Sequence, residues 1–162
     1  KKMSDWISGL KNFNLNFNGS YIISDEKYSE DELALRTLGL REGETLGDSR
    51  SLQGQSPYLL NAGVDYNNVE KGFRGGLYFN VQGKTLEVVG DGFYPDVYTM
   101  PFNSLNLNLS KQFKNNTSLT LRIRNILNDE RESLFEGYGG TTEYFRYRNI
   151  GRTFSLGYSI KF

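Results

Sequence analysis

The stretch TFSLGYSIKF, residues 153–162, decides the fold. Phe154, Leu156, Tyr158, Ile160 and Phe162 alternate with Ser155, Gly157, Ser159 and Lys161. A period of two places each set on one face of a β-strand. The last residues of soluble domains usually fray into water, but this strand keeps its alternation through to an aromatic residue. An apolar face carried that far needs a partner or a medium to hold it.

Five other stretches repeat the pattern. In residues 12–23, Phe13, Leu15, Phe17, Tyr21 and Ile23 oppose Asn12, Asn14, Asn16 and Asn18. In residues 58–66, Tyr58, Leu60, Ala62, Val64 and Tyr66 are in phase. Residues 72–82 set Phe73, Leu77, Phe79 and Val81 against Arg74, Asn80 and Gln82. Residues 104–113 set Leu105, Leu107, Leu109 and Phe113 against Asn106, Asn108 and Ser110, and residues 118–124 set Leu119, Leu121 and Ile123 against Thr120, Arg122 and Arg124. Lys111 falls on the apolar side near a strand end, where its amine can snorkel. Asn125 shares that parity, so the fifth strand is expected to stop or bulge there.

The segments NNVEK and KNNT between runs two and three and between four and five are short, polar and Asn-rich, as tight hairpin turns require. The other connections, residues 25–56, 83–101 and 127–150, are long. Strict alternation of long and short connections marks a barrel of the outer-membrane kind. The expected fold is all-β: an antiparallel transmembrane β-barrel segment of about six strands, with long extracellular loops and short periplasmic turns, its C-terminus periplasmic. Phe13, Tyr66, Phe73 and Phe113 then sit with Phe162 at one membrane interface, and Tyr21 and Tyr58 at the other, as an aromatic girdle does. Arg74, Asn80, Asn106, Asn108, Arg122 and Arg124 face a wet interior. The plainer alternative is a soluble antiparallel sandwich with one solvated face. Six strands are fewer than the roughly eight that a closed barrel needs, and an open sheet would leave unsatisfied edges in lipid.

Composition narrows the chemistry. Lys+Arg and Asp+Glu are both 19, against a phosphate-tracking nucleic-acid binder. Cysteine and histidine are absent, which removes disulfides, zinc–thiolate sites and His-based triads from the 162 residues. No paired-carboxylate or Ser–His constellation appears, so an enzyme is not expected, nor a cofactor or metal. The mean hydropathy of −0.56 excludes no membrane strand, because alternation averages out.

The first long loop carries Ser29 three residues before Glu32, a capping box for a short helix through Leu33, Ala34, Leu35 and Leu38. Its carboxylates Asp25, Glu26, Glu30, Asp31 and Glu32 are of the type that binds calcium. They lack the glycine turn and final Glu of an EF-hand loop and read as a solvated face. Phe93, Tyr94, Tyr98, Phe135 and Tyr138 are loop aromatics suited either to stacking on a ligand or to packing the loops together. The sequons at Asn18 and Asn115 fall in barrel elements and read as chance matches.

With these residues in view, the chain resembles a known family. Arg50 with SLQGQSPYLLNAGVDYNN, then VVGDGFYPDVYTMP, SLNLNLSKQF and LRIRNILND, is similar to the last part of the barrel of TonB-dependent outer-membrane receptors, in particular the Bacteroidetes-type group. The resemblance spans essentially residues 1–162 and is weakest in the first strand. It implies that Ser155, Gly157, Ile160 and Phe162 form the C-terminal signal read by the outer-membrane assembly machinery, after which the last strand pairs with the barrel's first. It also implies large plugged barrels of about 22 strands that import scarce nutrients with TonB-derived energy. The chain is then expected to be the C-terminal portion of such a receptor, its plug and earlier strands lying upstream. The implied partners are outer-membrane lipid, that upstream barrel and plug, TonB through the plug alone, and in some receptors a surface lipoprotein. A second expectation, of another class, is a client or structural partner of an outer-membrane assembly or secretion machine, held through the terminal strand.

Overall fold

The computed structural model describes residues 10–114, 116–139 and 141–161, so Phe162 of the expected assembly signal and Asn115 of the second sequon lie outside it. In chain order the elements are β1 (Phe13–Tyr21), β2 (Asp25–Lys27), α1 (Glu30–Leu38), β3 (Ser49–Ser51), β4 (Tyr58–Asn68), β5 (Phe73–Gln82) and β6 (Thr85–Val88). They continue with β7 (Asp96–Thr99), β8 (Phe102–Gln112), β9 (Thr117–Arg124), β10 (Arg131–Glu136), β11 (Glu143–Arg148) and β12 (Thr153–Ile160). Among the described residues the protein is all-β and antiparallel apart from one short α-helix.

The six alternating runs form one sheet in the order β1-β4-β5-β8-β9-β12. Register carries the alternation across strands: Leu15 pairs with Val64, Val64 with Leu77, Leu77 with Leu107, Leu107 with Ile123 and Ile123 with Phe154. One apolar row therefore crosses all six strands, which a slip of one residue would send to the opposite face. The next polar row runs Asn14, Asp65, Gly76, Asn108, Arg122, Ser155. At one end lie the tight turn after β4, where Gly72 has φ +60°, and the turn after β8, where Asn116 has φ 59°. The Asn116 carbonyl accepts from Lys161 N at 3.0 Å, tying the end of β12 to that turn. Strands β1 and β12 are the outer strands of an open sheet and do not pair with each other.

The long connections leave from the other end, and two of them are more ordered than sequence periodicity suggests. Residues 83–101 contain the β6–β7 hairpin and residues 127–150 contain β10–β11. The two hairpins join through β10 and β7 into a four-stranded sheet ordered β11-β10-β7-β6. The first connection supplies α1 and the β2–β3 ribbon. Ser29 Oγ accepts from Glu32 N at 3.2 Å, the cap expected there. The SLQGQSPY segment brackets the loop sheet: Gln53 Nε2 donates to Glu87 O at 2.9 Å and Gly54 N to Leu86 O at 2.9 Å. β9 ends at Arg124 and Asn125 turns left-handed at φ 53°, its side chain bonding Asp129 O and Gly151 O at 2.9 and 3.0 Å.

The packed apolar core lies in the loop sheet, where Leu86 and Val97 are fully buried. On the large sheet, Phe17, Tyr21, Leu156 and Phe154 are 76, 74, 74 and 67% exposed. A sandwich would cover this face with a second layer, and among the described residues none does so. A contiguous exposed apolar face of this extent marks a surface that meets another apolar phase or partner.

Candidate functional site

Opposite the apolar face, the sheet forms an open polar trough of about 1190 Å³. Arg74, Asn80, Asn106, Asn108, Arg122 and Arg124, the residues expected to face the interior, all line it. Asparagines bridge neighbouring strands, with Asn80 Nδ2 donating to Asn61 Oδ1 at 2.6 Å and Asn106 Nδ2 to Ser104 Oγ at 2.8 Å. Tyr78 lies flat across the trough because glycines make room for it. A Cβ on Gly63 would stand 2.9 Å from the Tyr78 ring, and one on Gly76 2.4 Å from its hydroxyl. That hydroxyl donates to Asp65 Oδ1, while Asn16 Nδ2 donates to Asp65 Oδ2 at 2.5 Å. The three arginines have no hydrogen-bond or salt-bridge partner among the described residues.

A second site crowns the loop end. Phe93, Tyr94, Phe135 and Tyr138 come together around a pocket of about 280 Å³, rimmed by Arg41, Glu44 and Glu143. Phe93 and Tyr94 project into solvent from a turn in which both their N–H groups donate to Asp91 Oδ1, at 3.1 and 3.0 Å. Phe135 is braced edge-on by Phe145, with ring centroids 5.3 Å apart. Four of the five predicted loop aromatics thus share one site. Tyr98 does not: it lies below, half-buried under the Lys84 amine, 4.3 Å from its ring centroid. Burial first, then the negative charge of Asp96, pushes the Tyr98 hydroxyl up to about 12.

Arg36 anchors the pocket from beneath and gave no sign in sequence of doing so. Fully buried, it donates from Nε to Glu32 Oε1 at 3.0 Å, from Nη1 to Tyr138 Oη at 3.1 Å, and from Nη2 to Gly90 O at 3.2 Å and Asp96 Oδ1 at 3.0 Å. Its guanidinium stacks 4.7 Å from the Tyr28 ring centroid. Burial works against its charge, but the hydrogen bond and charge of Asp96, with the bonds to Glu32 and Tyr138, outweigh burial and raise its pKa further. One side chain so joins α1, the β6–β7 hairpin and the loop after β10. Two carboxylates of the first loop are also drawn into ion pairs, Glu32 with Arg36 and Arg50, and Glu26 with Arg50. Within the loop sheet, Glu87 accepts from Ser133 Oγ at 2.6 Å, Thr99 Oγ1 at 2.8 Å and Arg146. The Ser133 bond foremost, helped by Thr99 and Arg146 against the effect of burial, holds its carboxyl below the usual range.

The aromatics expected at the interfaces fall in two groups. Phe13, Tyr66 and Phe73 stack in series at the tight-turn end, with centroids 4.8 and 5.9 Å apart, and Phe113 lies at that end beside Lys111. Tyr21 and Tyr58 pair directly in register at the loop end. Lys111 Nζ reaches over the strand end to Lys71 O at 2.5 Å. Ser155, Gly157 and Ile160 lie on β12, whose inner edge pairs with β9. The chain matches no protein-family model, no curated protein and no solved structure.

Proposed function

We propose that the chain is a wall-and-loop segment of a TonB-dependent outer-membrane receptor that imports a scarce nutrient. What carries the proposal is the two-sidedness of the six-stranded sheet: an uncovered apolar face against a polar trough, with rings at both ends of the apolar face. In a bilayer the exposed face meets lipid and the trough lines the lumen. The open edges of β1 and β12 are completed by further strands, since unpaired backbone in hydrocarbon costs several kcal/mol per group. The loop sheet and its aromatic pocket stand at the outer mouth as a ligand-capture surface, and the chain has no catalytic role. Fractionating cells that make the native protein tests this. The receptor reading expects the protein in the outer membrane, released only by detergent, at a mass several times 18.5 kDa. A water-soluble monomer would overturn it.

The open outer edge of β12 supports a second role, as a client held through its terminal strand by an assembly or secretion machine. Deleting Phe162 impairs insertion in both cases. Loss of partner capture by an already folded protein is expected of the second alone.

A further inference from the structure

Charge is sorted between the two ends of the large sheet. Of the 19 acidic residues, only Glu70 lies among the described residues that cap the strands at the tight-turn end, against the amines of Lys11, Lys71, Lys111, Lys114 and Lys161. None of these six residues forms a salt bridge among the described residues, whereas Arg36, Arg50, Lys84 and Arg146 of the long connections are all paired. Three of the amines, on Lys71, Lys111 and Lys114, line one groove of about 610 Å³ between the turn after β4 and the turn after β8. A cleft lined by one sign of charge concentrates ions of the other. The groove also has an apolar component, since Val69 and Phe113 line it and are 76 and 44% exposed.

Lys111 ties this groove to the apolar face. It is the one charged residue that the six strands place on that face, opposite Phe73 on β5 and Leu119 on β9. Its amine bends toward the turns, donating to Lys71 O at 2.5 Å and lying 5.9 Å from the centroid of the Phe113 ring. The amine-lined groove therefore begins where the exposed apolar wall ends.

We infer that the groove seats the headgroup of an anionic phospholipid, its phosphate among Lys71, Lys111 and Lys114 and its acyl chains along the apolar face past Phe73 and Leu119. The inference rests on the receptor proposal, which sets lipid against that face. Both halves of such a molecule are matched: a free phosphate would use the amines alone, and a neutral lipid the apolar face alone. Ammonium groups at a membrane surface hold anionic headgroups by charge and by their N–H donors. The long stem of Lys111 lets its amine reach headgroup level while its methylenes stay against apolar surface.

Native mass spectrometry of the full-length protein in detergent, offered phosphatidylglycerol and phosphatidylcholine in equal amounts, counts the lipids retained. The wild type should keep phosphatidylglycerol in at least several-fold excess. Lys71→Gln/Lys114→Gln, two exposed substitutions of the kind that folding tolerates, should cut that excess several-fold, and Lys71→Arg/Lys114→Arg should preserve it. Lys27→Gln/Arg41→Gln, which removes the same charge from the loop end, should leave it unchanged. No preference for the anionic lipid, or equal loss in both neutralising pairs, would overturn the inference while leaving a large outer-membrane receptor standing. So would displacement of the lipid by glycerol phosphate at matched concentration, which would make the groove a site for free phosphate. A water-soluble monomer of 18.5 kDa would instead remove the receptor proposal and this inference with it.

Discussion

Arg36 Nη2 meets Asp96 Oδ1 at 3.0 Å across sixty residues of chain, with both side chains withdrawn from water. Desolvating two such charges is expensive, and their attraction repays it only when the remaining donors are also satisfied. Glu32, Gly90 and Tyr138 satisfy them. The pair is therefore the joint at which three separate loop segments become one body.

Breaking that joint should loosen the loops and spare the wall. Asp96→Ala leaves a buried guanidinium short of its main partner, a loss of about 3–5 kcal/mol. Hydrogen exchange of the detergent-solubilised protein should show protection lost in α1, β6–β7 and the loop after β10. Amides of β4, β5 and β8 should stay protected, since sub-global units open independently. Equal loss in β8 would mean that loops and wall unfold as one unit.

The end of α1 touches the β6–β7 loop so closely that no methyl group fits between them. A Cβ on Gly39 would stand 2.1 Å from Gly92 O, a backbone atom, whereas one on Gly47 would meet nothing nearer than 3.8 Å. Gly39→Ala is expected to destabilise the loop cluster by about 1–3 kcal/mol, the usual range for overpacking. Gly47→Ala should stay within about 0.5 kcal/mol of wild type, as exposed substitutions do. Limited proteolysis at the Arg41 bond compares the two directly.

The loop sheet carries titrations at both ends of the pH scale. Glu87 is held ionised below the ordinary carboxylate range, so its contribution is complete above that range and fades as pH falls through the lowered value. Protection of β10 and β11 should drop on acidification, and Glu87→Gln should remove that pH dependence while lowering protection at neutral pH. Tyr98 is raised, so the opposite sign holds: its contribution is complete below the ordinary tyrosine range and is lost as pH rises through about 12. The absorbance titration of wild type minus Tyr98→Phe should show a single late-ionising phenol.

The large sheet was legible in sequence because each of its strands runs eight to eleven residues with a strict period of two. The loop sheet was not. β6 and β7 are four residues each, too short for periodicity, and both begin with consecutive buried residues. β11 reads EYFRYR and is exposed on both faces, so no apolar side exists to be found. The loop aromatics were visible as residue types, but their convergence depends on pairing between β7 and β10, thirty-odd residues apart. Arg36 was the least legible, because a lone arginine on a charged helix looks solvated and its partners Asp96 and Tyr138 are 60 and 102 residues away.

Adjacent residues on β8 offer the sharpest test of which face meets lipid. Leu107 lies in the apolar row that crosses all six strands, and Asn108 lies in the polar row beside it, lining the trough. An arginine near the middle of a lipid-facing wall costs about 2–4 kcal/mol, while the same residue facing a wet lumen is tolerated. On the proposed reading, Leu107→Arg should therefore reduce the amount of folded protein in the outer membrane and lower its unfolding midpoint in lipid vesicles. Asn108→Arg should leave both nearly unchanged. The two variants add the same charged group one residue apart, so net charge cancels in the comparison. If Asn108→Arg proved the more damaging and Leu107→Arg were silent, the apolar face would not be lipid-facing, and a protein partner covering it would have to be sought instead.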